Sequence, residues 1–183
     1  NLRKDGYNPM VITIDPISRN SMLNLGRYEN IIYTFIDSEI MKRSKRMAKE
    51  LSNKWRCLDD NAKAKLFEID GVSYYKYFKS SMDAIFSNTI LGILIKYYLT
   101  FKKLIEKYSI RIAYTNALYG FYDTALIGAC YKLKRKAVFS SHGYAGLHWD
   151  CFDTNWKVLK NPLYNDMYFM VQNSEDEKYL VSY

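Results

Sequence analysis

The sequence predicts an α/β domain, Rossmann-like and three-layered, with a mostly parallel sheet. Short β-branched, apolar runs alternate with stretches of helical period along nearly the whole chain. Helices between successive strands imply parallel pairing with right-handed crossovers. The 183 residues, 49% of them hydrophobic, suffice for one domain with a real core, and 8 Gly and 3 Pro leave little room for long linkers.

The elements follow in order. Met10-Val11-Ile12-Thr13-Ile14 reads as a first strand ending at Asp15-Pro16, and residues 17–30 as loop. Ile31 to Phe35 reads as a second strand, ending at Asp37. Ser38 is placed as the cap of a helix whose apolar face carries Ile40, Ser44, Met47, Ala48, Leu51 and Trp55. Lys42, Arg43, Lys45, Arg46 and Lys49 fall on its other face, a solvated surface that could also approach an anionic membrane. Lys65 to Ile69 reads as a third strand before the turn signal Asp70-Gly71. A helical region runs from about Tyr74 to Tyr108, divisible at Ser87-Asn88. Its second half keeps the stripe Ile90, Leu94, Tyr97, Phe101, Leu104 and Tyr108.

Arg111 to Tyr114 is a fourth strand, ending at Thr115-Asn116, and the next helix uses Tyr122, Leu126, Ala129, Cys130 and Leu133. The run from Ala137 is a buried strand that stops at the polar turn Ser140-Ser141-His142-Gly143-Tyr144. Residues 147–163 form an aromatic, polar loop. Met167 to Val171 is the last strand, and Asn173-Ser174-Glu175 opens a helix. The whole chain, 1–183, is read as one domain.

Lys and Arg number 27 against 19 Asp and Glu, a net charge of +8. That favours anionic partners. The basic residues are scattered and no nucleic-acid motif appears, so nucleic acid is not expected as a partner. Cys57, Cys130 and Cys151 form neither a zinc pattern nor a disulfide framework, which suits a reducing compartment. Ile90 to Leu99 is too short to span a bilayer, and no signal peptide is legible. The first residue is Asn1, which suits a piece of a longer protein. There is no dinucleotide fingerprint and no P-loop. His142, His148, Asp150 and Asp153 match no trusted metal-ligand spacing. No metal or other cofactor is therefore expected.

Chemistry in open parallel sheets gathers outside the carboxyl ends of the strands. Asp15, Asp37, Asp70, Asn116, His142 and Asn173 each follow a predicted strand. Asp and Asn at such positions commonly cap helices and shape turns, so most of them need no function. His142 stands apart: it is one of two histidines and precedes a glycine that allows close backbone approach. Imidazole can take a proton from an attacking hydroxyl or hydrogen-bond a phosphate or sugar. Ser140-Ser141-His142 lacks the elbow of a serine nucleophile. Tyr144, Trp149, Phe152 and Trp156 could stack on sugars or pack the loop down.

The order of these motifs resembles the N-terminal domain of the GT-B glycosyltransferases that build surface polysaccharides, and more loosely the glycerophosphotransferases of teichoic acid synthesis. The resemblance rests on Phe67-Glu68-Ile69-Asp70-Gly71-Val72-Ser73-Tyr74 and Ile112-Ala113-Tyr114-Thr115-Asn116. It continues through the small-residue helix at Ala125 and Ala129, Val138-Phe139-Ser140-Ser141-His142-Gly143, and Met170-Val171-Gln172-Asn173-Ser174. It implies one half of a GT-B fold, the acceptor side. His142 would be base or acceptor-site residue, and Asp70, Asn116, Ser141, Gly143 and Tyr144 would line the cleft. Relatives carry Gln or Glu where this chain has Ser141. The implied partners are a nucleotide-sugar held by a C-terminal domain outside this chain and a glycan or lipid-linked acceptor. The implied place is the cytoplasm, with peripheral contact at the inner face of the membrane. The rival expectation is a non-catalytic Rossmann-like binding module, suggested by the incomplete cleft and 18 tyrosines.

Overall fold

The computed structural model describes residues 6, 8–14, 20, 24, 31–115, 120–140 and 167–170. A 3-10 helix at Ile32–Phe35 is followed by α1 (Ser38–Cys57), α2 (Asp60–Leu66), and the strands β1 (Glu68–Ile69) and β2 (Val72–Ser73). Then come α3 (Tyr75–Ile85), α4 (Asn88–Lys107), β3 (Ile112–Thr115), α5 (Phe121–Lys132), β4 (Lys136–Ser140) and β5 (Met167–Met170).

The protein is a mixed α/β chain with a small parallel sheet. β4 lies between β3 and β5 and is parallel to both. Thr115 pairs with Phe139, and Ser140 with Met170, so three carboxyl ends share one edge. Along β4, Ala137 and Phe139 are buried while Val138 and Ser140 are half-buried, so one face is more deeply covered than the other. The crossover helix α5 ends where the Arg135 amide reaches back to the Cys130 carbonyl at 2.8 Å. Lys134, with φ of 52°, makes the sharp exit.

Helix α4 is the centre of the packing. Leu91, Ile95 and Leu99 meet Ile40 and Ala48 of α1 in one cluster. Tyr97, Phe101, Leu104 and Ile105 meet Ala125, Ala129 and Cys130 of α5, Ala137 of β4, and Ile32 and Phe35 in the other. The small residues of α5 let the two helices approach, and each fully buried Leu or Ile contributes about 1.5–3 kcal/mol. The predicted stripe identified Tyr97, Phe101 and Leu104. It missed the second apolar face, because a helix buried on two sides does not show a single stripe. The predicted break is present: the Ser87 hydroxyl accepts from the Ile90 amide at 3.3 Å and caps α4. Among the described residues no single helix is long and apolar enough to cross a membrane. Helices α3 and α4 meet that test only together, across a bend of 67°.

Three of the expected strands are corrected. Ile32–Phe35 is a 3-10 turn, not a strand. The Thr34 hydroxyl and amide both donate to the Ile31 carbonyl, at 2.7 and 3.1 Å, and Ile32 and Phe35 three apart share the buried side. With that backbone turned on itself, Met10–Ile14 has no ladder to join among the described residues. One parallel bridge, Thr13 to Ile31, remains of the first strand. Lys65–Ile69 is likewise not a strand of the parallel sheet. Asp59 accepts from the Ala62 amide at 2.6 Å and starts α2, which consumes Lys65 and Leu66. What is left, Glu68–Ile69, turns back on Val72–Ser73 as an antiparallel hairpin. Asp70 and Gly71 have φ of 52° and 79°, the left-handed pair that a two-residue hairpin turn needs.

The cap of α1 is Asp37 rather than Ser38. Its Oδ1 accepts from the Ile40 amide at 2.8 Å, and its Oδ2 meets Lys103 Nζ of α4 at 2.6 Å. The amide bond, then the lysine, holds the Asp37 carboxyl below the usual carboxylate range. A lowered folded pKa gives stability that is present above the unfolded value and lost as pH falls through the folded one. Asp37→Asn is expected to lower the melting temperature by about 2–4 °C at neutral pH. The gap should start to shrink as pH falls below about 4, the ordinary carboxylate value, and close only below the lowered folded value, where both proteins carry a neutral side chain. Thermal melts of both proteins across that range would show it; a gap independent of pH would mean the charge is irrelevant.

Candidate functional site

The carboxyl edge of the sheet is where an α/β fold of this kind builds a site. β3 delivers Thr115 to it, buried, and β4 delivers Ser140, half-buried. The Thr115 hydroxyl donates to Oδ1 of Asp123, in the first turn of α5. Gly120 precedes that turn with φ of −71°, a conformation open to any residue. A Cβ there would meet Oδ2 of Asp123 and turn that carboxylate aside, so the glycine leaves the Asp123 side chain room where it stands. The short helix entrance therefore folds a half-buried carboxylate back over the strand end.

Beside it lies a group of phenols. The rings of Tyr122 and Tyr97 meet edge to face, 4.5 Å between centroids. The Tyr97 side chain is 3% exposed. Burial first, then hydrogen bonding with Tyr33 and with Tyr122, pushes its hydroxyl pKa far above the ordinary value. Tyr97 thus stays a neutral hydroxyl at any physiological pH. It joins the 3-10 helix, which carries exposed Tyr33, to the first turn of α5. A carboxylate and phenolic hydroxyls are groups that hydrogen-bond to sugar hydroxyls, as acceptor and as donor–acceptor respectively.

Of the residues singled out in the sequence, Asn116, Ser141, His142, Gly143 and Tyr144 lie outside the described residues, as do Asp15, His148, Asp150, Asp153, Asn173 and the aromatic loop. Asn116 directly follows Thr115 in the chain, and His142 follows Ser140 by two positions. Asp37 and Asp70 are described, and neither ends a strand of the parallel sheet. Asp37 caps a helix and pairs with Lys103. Asp70 is exposed in the turn of the antiparallel hairpin, which withdraws the sheet-edge reason for grouping it with Asn116. Asp123, Tyr33, Tyr97 and Tyr122 were not anticipated. Asp123 had a signal, an acid three residues after a glycine at a helix start. The tyrosines had none, being far apart in the chain.

Among the described residues no group of three His, Cys, Asp or Glu side chains could hold a metal ion. Burial pushes the Cys130 thiol up to about 11, so it is inert packing rather than a nucleophile. Lys132, Lys134, Arg135 and Lys136 are exposed toward the amino edge of β4, away from the strand ends where a ligand would sit. The basic face of α1 borders a shallow depression lined by Ser38, Glu39, Lys42, Arg43 and Arg46. No protein-family model, curated protein or solved structure matches this chain.

Proposed function

We propose that this chain is the acceptor-side, Rossmann-like half of a GT-B-type glycosyltransferase acting on a surface glycan or a lipid-linked acceptor. The observation that supports it most is the parallel register of β3, β4 and β5, whose carboxyl ends share one edge. In the sequence, Asn116 directly follows the end of β3, and His142 follows the end of β4 by two positions. In this reading His142 takes the proton of the acceptor hydroxyl or orients that hydroxyl. The acceptor oxygen then bonds to the anomeric carbon of the donor sugar. The bond from that carbon to the nucleoside diphosphate breaks, and the nucleotide leaves with its electron pair. Asn116, Ser141, Gly143 and Tyr144 would line the acceptor side, with Tyr33 and the Asp123–Thr115 pair beside them.

In enzymes of this design the nucleotide-sugar is held mainly by the second domain. The isolated chain is therefore expected to release no nucleoside diphosphate from a nucleotide-sugar, while a longer natural protein containing it does so when acceptor is present. A coupled nucleotide-release assay on both proteins distinguishes the cases. Full turnover by the isolated chain would show that half a site is not what it holds. No turnover by the longer protein, across the common nucleotide-sugars, would favour a binding module instead.

A further inference from the structure

The charges around the parallel sheet are segregated by edge. Arg111, Lys132, Lys134, Arg135 and Lys136 are all exposed, and they lie at the amino ends of β3 and β4 or at the end of α5 that leads into β4. From Ile112 to Tyr131 the chain has no lysine or arginine, although the two together number 27 of its 183 residues. The stretches of sequence that follow the other two strand ends, 141–149 and 171–175, have none either. The charge that the structure places at the carboxyl edge is the half-buried carboxylate of Asp123, in the first turn of α5.

A helix N-terminus beside a strand end ordinarily suits an anionic ligand, because its free amides and its dipole attract negative charge. In α5 that place is filled from within. Gly120 supplies no side-chain cap, and Asp123 folds back so that its Oδ2 stands where a side chain on Gly120 would begin. Its Oδ1 accepts from the buried Thr115 hydroxyl, which fixes the carboxylate over the end of β3. A phosphate or carboxylate approaching here meets a fixed like charge, and the adjoining sequence offers no lysine or arginine to offset it. A hydroxyl meets an acceptor instead: an ionised carboxylate has about four lone-pair sites, and the Thr115 hydroxyl takes one of them.

We infer that the group seated at this edge is an uncharged polyol, and that Asp123 selects it against phosphate- and carboxylate-bearing alternatives. The inference rests on the proposed function only in taking this edge as the ligand site, and it narrows the acceptor there to a neutral sugar residue. Asp123 accepts a hydrogen bond from a ligand hydroxyl and repels an anion. It is a specificity residue and takes no part in bond making.

The test is saturation-transfer NMR on the full chain with paired probes: methyl glucoside against methyl glucuronide, and methyl galactoside against methyl galacturonide. Each pair differs only at C6, a hydroxymethyl group in one member and a carboxylate in the other. The neutral member should bind about tenfold more tightly or better, because like charges set side by side at a fixed site are strongly disfavoured. Asp123→Asn keeps an oxygen for Thr115 and removes the charge, so the preference should largely vanish. Thr115→Val frees the carboxylate to turn away and should reduce the preference in the same direction. A merely structural Asp123 would change both members of a pair alike. Equal binding, tighter binding of the uronides, or a preference that Asp123→Asn leaves intact would overturn the inference. So would the absence of binding by all four probes, although nucleotide release by the longer protein would then leave the transferase reading standing. The preference without any nucleotide release keeps the role of Asp123 and removes the transferase.

Discussion

Replacing His142 with alanine in the full-length protein is expected to slow sugar transfer by about 10²–10⁴-fold, the usual contribution of a positioned acid–base side chain. His142 is one of two histidines, precedes Gly143, and comes two residues after the last described position of β4. If it takes the acceptor proton, kcat falls and the acceptor KM changes little, because the lost interaction belongs to the transition state. If it only orients the acceptor through binding, KM rises and kcat holds. Steady-state kinetics with varied acceptor separates the two roles. Unchanged kinetics in both parameters would remove His142 from the site and leave the binding-module reading in possession.

Trp55→Ala should cost about 3–5 kcal/mol of folding stability, the range for truncating a large buried aromatic. Trp55 is buried near the end of α1 and is the hub on which the middle of the chain assembles. Its ring stacks on Phe86 at 4.3 Å and meets Phe67 and Tyr75 edge-on at 6.5 and 6.2 Å. Lys63 Nζ lies 4.9 Å from the ring centroid, and the indole N–H donates to Asp83 at 2.8 Å. These contacts come from α2, the stretch between α2 and the hairpin, and both ends of α3, so one truncation loosens all of them. Urea denaturation followed by circular dichroism measures the loss. A cost under about 1 kcal/mol would mean that these helices do not pack through Trp55.

Much of the framework could be read from sequence, and the reasons are specific. α1 and α4 are long and periodic, and Ser87 announces the start of α4. β3, β4 and β5 are short apolar runs, and all three are found in parallel pairing. The failures are short segments where local hydrogen bonds decide. Ile31 to Phe35 has the composition of a strand, yet the Thr34 side chain closes a turn on the Ile31 carbonyl. Lys65 to Ile69 was divided by a cap six residues upstream, Asp59, whose reach the apolar run concealed. The candidate site was legible only as strand ends. That Thr115 would hold Asp123, and that Tyr97 would gather Tyr33 and Tyr122, depends on tertiary approach that no local pattern encodes.

The double burial of α4 has a consequence for dissecting this protein. Both apolar clusters take roughly half their side chains from the same twenty-residue helix. Among the described residues of 31–140 there is accordingly no seam between the two clusters, since both draw on that helix. A fragment ending before residue 88 takes Ile40 and Ala48 but leaves their partners behind. One beginning after residue 107 takes the strands and α5 but exposes Ala125, Ala129 and Cys130 to water. Shortened versions for binding or kinetic work have to be trimmed outside that span, since any cut within it divides a core rather than two units.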